Sequence, residues 1–435
     1  MPPDHLAAIA RLHRLDPIER RGRVVDAIGT TIRVSGLSAH IGQFCELVEP
    51  GGARLTAEVV GLAGGTAILT PLAPMAGLSA NAEVRLLPAA SRVPVGEALF
   101  GRVVDARGQP LDDGPPLGAT PTRPVHAEPP NPLHRAPIDH AFATGIRAMD
   151  ALLTLGVGQR LGVFAAAGGG KSTLLGMLAR HADADAIVIG LIGERGREVR
   201  EFLEDSLGEH GRARSVTVVA TSDRPAMERV RAAHAATAIA EGFRAQGKRV
   251  LLLMDSVTRF ARALREIGLA AGEPAVRRGF PPSVFAELPR LFERAGNDAV
   301  GSITAIYTVL LEDEEGGDPV GEEVRSILDG HIHLSRKLGT AGHYPAIDVG
   351  GSLSRLFPRV STAEQRMGAE KLRALMAKYA EIEFLIQVGE YAPGQDLLAD
   401  EAIAKQAAIT AFLRQGARDR VTLPDALDQL AVAIA

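Results

Sequence analysis

Between residues 160 and 310 the chain carries five nearly unbroken apolar runs: Arg160-Leu-Gly-Val-Phe-Ala165, Ile187-Val-Ile-Gly-Leu-Ile192, Ser215-Val-Thr-Val-Val-Ala220, Arg249-Val-Leu-Leu-Leu-Met254 and Ser302-Ile-Thr-Ala-Ile-Tyr-Thr-Val-Leu310. Segments of helical length separate them. A strand with one wet face alternates apolar and polar residues, whereas a strand covered on both faces has no reason to alternate. The runs therefore predict an α/β core, a mostly parallel sheet with helices on both sides. The first run must turn into a helix, Thr173 to His181, through Ala165-Ala-Ala-Gly-Gly-Gly170-Lys171-Ser172. Gly168, Gly169 and Gly170 free successive backbone N–H groups to face an anion, and the helix N-terminus adds positive potential. Lys171 then reaches the β/γ oxygens of a nucleotide and Ser172 coordinates Mg2+. The strict phosphate-loop pattern opens on glycine, where this chain has Ala165.

Two carboxylates fall where such a site needs them. Asp255 closes the run Val250–Met254, at the carboxyl edge of the sheet where open α/β folds bind ligands, and reads as a Mg2+-linked acceptor or, more plainly, a helix N-cap. Glu194 follows the run that ends at Ile192 and reads either as the group that polarises an attacking water or, with the arginines around it, as part of a solvated helix start with local ion pairs. His331 and His333 would share one side of a strand as a metal pair does, but no third ligand is evident, so they read as structural.

The flanks have other textures. From Gly22 to Leu87 short β-branched runs alternate with glycines, which predicts six strands in a small antiparallel barrel over residues 20–107. Nine prolines between Gly108 and Pro137 predict a stiff, extended connector over 108–137, since proline donates nothing to a ladder. The α/β core occupies 138–358. Beyond it Met367, Leu372, Leu375, Met376, Tyr379 and Ile382 trace a helical stripe, and further helices from about Asp400 to Leu413 and after Thr422 complete a helical domain over 359–435. In residues 1–19, Leu6, Ile9, Leu12 and Leu15 give a broad apolar face that serves a short docking helix or a frayed terminus equally well.

Composition removes several classes. Forty-eight basic against fifty-two acidic residues leave a net charge of −4, which argues against a dedicated nucleic-acid binder. Between Gly22 and Leu87 there is one aromatic residue, Phe44, too few for a base-stacking platform. The single cysteine, Cys45, cannot close an intrachain disulfide and reads as a buried hydrophobe in a protein of a reducing compartment. No run approaches the ~18 residues of a spanning helix, and the N-terminus lacks the pattern of a secretory signal.

Five ordered blocks then carry a resemblance: Gly193-Glu-Arg-Gly-Arg-Glu-Val199, Leu252-Leu-Met-Asp-Ser-Val-Thr-Arg259, Pro282-Ser-Val-Phe-Ala-Glu-Leu-Pro-Arg-Leu-Phe-Glu-Arg-Ala-Gly296, Ile327-Leu-Asp-Gly-His-Ile332 and His343-Tyr-Pro-Ala-Ile-Asp348. Together they resemble the type III secretion ATPases, relatives of the catalytic and regulatory subunits of rotary ATP synthases, over nearly the whole chain. The resemblance implies a RecA-like P-loop core between an N-terminal β-barrel and a C-terminal helical domain, with ATP and Mg2+ as nucleotide and metal. By it, Gly168, Gly169, Gly170, Lys171, Ser172, Thr173 and Tyr344 match nucleotide positions, Ser172 and Asp255 metal positions, and Glu194 the water-activating carboxylate. Arg355, in Ser352-Leu-Ser-Arg355, matches an arginine finger given by a neighbouring subunit, and Arg195 and Arg259 match arginines near the phosphates. Gly350 and Gly351 stand where relatives carry bulkier residues, which predicts a looser backbone behind Arg355.

The same resemblance implies a homohexamer at the cytoplasmic face of the inner membrane, engaging a stator protein through residues 1–19, a central-stalk protein, chaperone–cargo complexes at the helical domain and a membrane export gate, with no nucleic acid. The blocks Glu323-Val-Arg-Ser-Ile-Leu-Asp-Gly330, Ala377-Lys-Tyr-Ala-Glu-Ile-Glu383 and Val388-Gly-Glu-Tyr391 are closer to injectisome enzymes than to flagellar export ATPases. Carrying both Glu194 and Arg355 argues against a rotary synthase subunit, which divides these groups between two polypeptides. Glu194 likewise argues against a non-catalytic nucleotide-binding scaffold.

Overall fold

The computed structural model describes residues 21–87, 91–166, 168–311 and 317–435. The segment 1–19, with its docking reading, lies outside them. The described residues form two compact units, one built on the barrel and one on the core and C-terminal helices.

Among the described residues of the first unit, six antiparallel strands, Arg21–Ile28, Thr31–Ser35, Phe44–Val48, Arg54–Ala63, Thr66–Pro71 and Glu83–Leu86, close into a barrel. Alternation fills it: Ile32 and Val34 point inward and Arg33 outward, and Cys45, Leu47, Val59, Leu69 and Val84 complete the core. The hairpin from Ala63 to Thr66 turns on Gly64 and Gly65, both at positive φ, the backbone that matches strand twist in a two-residue loop. Closure leaves no edge to pair with another chain. Burial pushes the Cys45 thiol up to about 11, so it stays a neutral packing group.

In the second unit the five apolar runs lie side by side and parallel, in the order 160–165, 302–310, 249–255, 186–192, 215–220. Every residue of Ala186–Ile192 is buried, as expected of a strand covered on both faces. Gly330–Leu334 extends the sheet in parallel beside Arg160–Ala165, and Ile347–Ser354 closes that side antiparallel.

The other side of the sheet departs from the expected boundaries. Val103–Val104, placed with the barrel by sequence, adds in parallel to Thr217 and Val218 as a strand of the core sheet. The proline-rich stretch is stitched to the core unit rather than held off as a spacer. Thr122–Pro124 pairs with Arg92–Pro94, the Pro121 carbonyl accepts from Val95, and the Val125 carbonyl accepts from the Arg294 guanidinium at 2.8 Å. A two-strand ribbon has outward-facing positions where a missing N–H costs nothing, so proline is tolerated there.

The C-terminal helices are Ala363–Gln387, Leu397–Leu413 and Leu423–Ile434, capped by Thr362, Asp396 and Thr422 side chains. Leu372, Leu375 and Ile382 are buried as predicted, but Met367 is 62% exposed. It sits five residues before Leu372, roughly 140° around a helix turning about 100° per residue. Buried Gln365 takes its place, donating to the Thr154 hydroxyl and the Asp150 and Ala151 carbonyls at the base of the core. No helix among the described residues is long and apolar enough to cross a membrane.

Candidate active site

The site forms where three parallel strands of the sheet end, the first separated from the other two by Ser302–Leu310. Arg160–Ala165 delivers the glycine loop, Arg249–Asp255 delivers Asp255, and Ala186–Ile192 delivers Glu194. Ala165 is a buried, paired strand residue opposite Leu310 and Leu334, so the position that opens the strict motif with glycine needs no special backbone here. Gly168 and Gly170 both hold φ near 80°, where a side chain would be strained. The helix Lys171–His181 starts without a side-chain cap, which leaves its first N–H groups free for an anion.

Lys171 folds back onto the carboxylates. Its Nζ lies 2.6 Å from Asp255 Oδ1 and 3.5 Å from Glu194 Oε1. Burial alone would pull the ammonium down, but Asp255 and Glu194 outweigh it and hold the pKa above its usual range. Glu194 responds in the opposite sense. Burial, and then the charge of Asp255, push its carboxyl up to about 7, against the weaker pull of Lys171 and Arg259. Glu198, one helical turn on, shares a side-chain hydrogen bond with Glu194 that raises Glu194 further and holds Glu198 below its usual range. A carboxyl poised near neutrality beside a phosphate loop suits proton transfer from water.

The other predicted residues divide. Tyr344 lies at the loop: a Cβ added to Gly170 would sit 3.4 Å from its ring, which is 43% exposed. The Tyr344 carbonyl accepts from the backbone N–H of Gln415 in the helical domain, at 2.9 Å. Thr173 occupies the first helical turn, and the exposed Ser172 beside Lys171 offers a hydroxyl to solvent. Ser172 and Asp255 are oxygen donors of the kind a hard cation takes. Among the described residues no three His, Cys, Asp or Glu side chains gather as a metal cage. The donor set thus fits Mg2+ that shares its ligands with a nucleotide's phosphates. Arg259 has a buried Nε without a partner and its stem lies against Gly193. Arg195, by contrast, extends from the site with its side chain 75% exposed, 3.6 Å from Glu198.

Arg355 is not brought to Lys171. It follows Ser354, which pairs with Gly330, and its backbone N–H donates to Asp329 at the start of the strand Arg160–Ala165. The phosphate loop leaves the far end of that strand, six residues or roughly 17 Å away. Gly350 and Gly351 do not loosen this edge. They belong to a bulge opposite Ile332 that Asp348 and Ser352 brace, through Gly351 N–H to Asp348 Oδ1 at 3.1 Å and His333 N–H to Ser352 Oγ at 2.9 Å. His331 pairs with the Gly351 carbonyl at 3.1 Å, a structural contact.

A glycine cradle, a buried lysine between two carboxylates and a parallel sheet behind them define a RecA-like P-loop nucleotide hydrolase. Comparison with known proteins narrows the class. A model of the ATP synthase alpha/beta family, nucleotide-binding domain, matches residues 145–354, and one of the T3SS EscN ATPase C-terminal domain matches 361–432. The chain is 55% identical to a type 3 secretion system ATPase of Xanthomonas euvesicatoria over 91% of this chain and 90% of the relative. It is 52% identical to the SPI-2 type 3 secretion system ATPase of Salmonella typhimurium over 94% and 93%. A flagellum-specific ATP synthase of Treponema pallidum is 48% identical over 97% and 94%. The assembled ATPase EscN of enteropathogenic E. coli superposes with a TM-score of 0.91 at 48% identity, covering 95% of this chain and all of that one. The chain belongs to the type III secretion system ATPases, and its reaction is ATP hydrolysis.

Proposed function

We propose that the protein works as a homohexamer in which each ATP lies between the Lys171–Glu194 site of one subunit and Arg355 of the next. The observation that carries this reading is the separation just described: Arg355, which follows the edge strand Ile347–Ser354, lies by the Arg160 end of the loop strand, and the glycine loop leaves its Ala165 end. Support comes also from EscN, solved in an assembled form and in complex with its central stalk EscO, the latter matching this chain at a TM-score of 0.88.

In the proposed reaction the loop glycines and the helix N-terminus bind the phosphates. Lys171 exchanges Asp255 for the β/γ oxygens, and Tyr344 packs on the adenine. Glu194 accepts a proton from the attacking water as its oxygen bonds to the γ-phosphorus and the bond from that phosphorus to the β–γ bridging oxygen breaks, leaving ADP and inorganic phosphate. Arg355 from the neighbour stabilises charge on the transferring group, an effect worth about 10³-fold or more. Arg195 joins on the phosphate side once the neighbouring subunit covers it. Ser172 and Asp255 would hold Mg2+, which supplies electrostatic stabilisation of phosphate charge when bound.

Hydrolysis is coupled in this reading to releasing chaperones from export cargo and partly unfolding that cargo at the export gate, at the cytoplasmic face of the inner membrane. Residues 1–19 dock the stator, the ring engages a central stalk, and the C-terminal helices receive chaperone–cargo complexes. An injectisome is favoured over a flagellum by 55% and 52% identity to the secretion enzymes against 48% and 46% to the flagellar ones.

The test mixes Glu194→Gln and Arg355→Ala variants across a concentration series. Each alone is nearly inactive, and mixing restores turnover because an intact Glu194 face meets an intact Arg355 face. Co-assembly without restored turnover would remove Arg355 as a finger in trans.

A further inference from the structure

We propose that Thr308 is the positioning residue that keeps the Asp255 carboxylate aimed when Lys171 leaves it for the nucleotide. The proposal rests on the reading of Lys171 and Asp255 given above.

Thr308 interrupts the apolar strand Ser302–Leu310 and is fully buried. A hydroxyl in such a place must find a partner. Strand register supplies it. Ser302–Leu310 runs between the loop strand and the Asp255 strand, with Thr308 opposite Val163 on one side and Tyr307 opposite Met254 on the other. The Thr308 Oγ1 thereby lies 2.7 Å from Asp255 Oδ1, while its other neighbour, the Met254 carbonyl, is 3.4 Å away. A threonine hydroxyl has one proton to donate, and the shorter contact to the ionised acceptor takes it.

Asp255 Oδ1 thus accepts from two donors of different character. Lys171 reaches it on a flexible stem with a rotatable ammonium, which can turn to other anions. Thr308 is β-branched, so its χ1 is restricted, and it is buried inside a central strand. When a nucleotide draws Lys171 away, the hydroxyl is the donor of the two that stays. It fixes which oxygen of Asp255 remains committed to the protein, and so which is offered to the metal. The hydroxyl acts through Asp255 and touches no reacting atom.

The full-length protein is tested by titrating Mg2+ against binding of a fluorescent ATP analogue, read as the half-saturating Mg2+ concentration, with Mg2+-free nucleotide affinity and thermal midpoint measured alongside. Thr308→Val keeps the shape and should raise the Mg2+ requirement about ten-fold, the scale of one hydrogen bond to a charged group. Its Mg2+-free affinity stays close to wild type, while its midpoint falls by the loss of one buried hydrogen bond. Thr308→Ser should return within about two-fold of wild type, since the hydroxyl is restored. Asp255→Ala separates the two readings. If it abolishes the Mg2+ response while Thr308→Val leaves it normal, Thr308 has no positioning role. If Thr308→Ser is as defective as Thr308→Val, packing rather than the hydroxyl is responsible and the proposal is overturned. If Asp255→Ala retains the full Mg2+ response, the metal reading of Asp255 fails and this proposal falls with it.

Discussion

Replacing Glu198 by Gln should shift the pH dependence of hydrolysis toward acid. Glu194 titrates near 7 because it is buried, because Asp255 is close, and because it donates its proton to the Glu198 carboxylate. With such a pKa the ionised fraction falls about ten-fold between pH 8 and pH 6, and kcat/KM, which reports the free enzyme, should fall with it. Glutamine at 198 removes the negative charge and can turn an amide donor toward Glu194, which the carboxylate could not. Hydrogen bonding to the ionised form favours it, so the acid limb moves down by about one unit. At pH 6 the variant would then keep about half of its own plateau. The nucleotide's phosphate titrates identically for both enzymes and cancels in the comparison. The assay is steady-state release of inorganic phosphate from pH 5.5 to 9 at saturating Mg2+. A limb that stays in place or moves upward in Glu198→Gln would refute the shared proton, and a flat wild-type profile between pH 6 and 8 would refute the poised carboxyl itself.

Three further outcomes concern stability. Arg294 donates from Nε and Nη2 to the two oxygens of Glu241, both at 2.9 Å, with the two side chains 3% and 1% exposed. Arg294→Met leaves that carboxylate the more exposed Arg123, at 3.2 Å, and the charge of Arg244, and should cost about 3–5 kcal/mol in urea unfolding, whereas adding Glu241→Met should recover most of the loss. A double variant no more stable than the single one contradicts this. His234 is held neutral by burial and by the positive field of His126, Arg294 and Arg231, well below its usual pKa. The folded state therefore binds fewer protons than the unfolded state below about pH 6.5, and stability falls as pH drops through that value by about 1.4 kcal/mol per unit. His234→Gln should flatten that slope, and an unchanged slope would assign it to other groups. Gly176 packs the loop helix against Ser206, whose carbonyl would lie 2.7 Å from an added Cβ. Gly176→Ala gains about 1 kcal/mol of helix propensity but forces backbone apart, so a lowered thermal midpoint is expected from an overpacking cost of about 1–3 kcal/mol. A raised midpoint would mean the two segments part freely.

Local signals made the barrel and the central strands legible. Alternation in Thr31-Ile-Arg-Val34 and continuity in Ile187–Ile192 each report the faces a strand covers, and those faces are fixed by residues close in sequence. What escaped depends on pairing at a distance. Val103–Val104 is two residues long, too short for a period, and becomes a strand only because Thr217 and Val218 lie beside it. The proline-rich stretch finds its partner at Arg92–Pro94, beyond any local window. At the site, the glycine loop and its two carboxylates were readable because strand ends place them. Thr308 and Glu198 were not, since one requires the register of two strands and the other the turn geometry after Glu194. Met367 escaped because a loose apolar stripe tolerates a residue about 140° around the helix.

Arg355 and the glycine loop ride on one continuous sheet, so no hinge inside a chain can bring them together. Under the proposed reaction this makes heredity unusual. A cell with one normal and one Arg355-altered gene would build mixed rings in which each altered chain silences its neighbour's pocket and leaves its own intact. Each ring would then lose as many pockets as it has altered chains, whatever their order, and every pocket lost would belong to the neighbour rather than to the altered chain itself. Chains not yet assembled would hold nucleotide without splitting it, so a reserve of subunits could be kept without futile turnover.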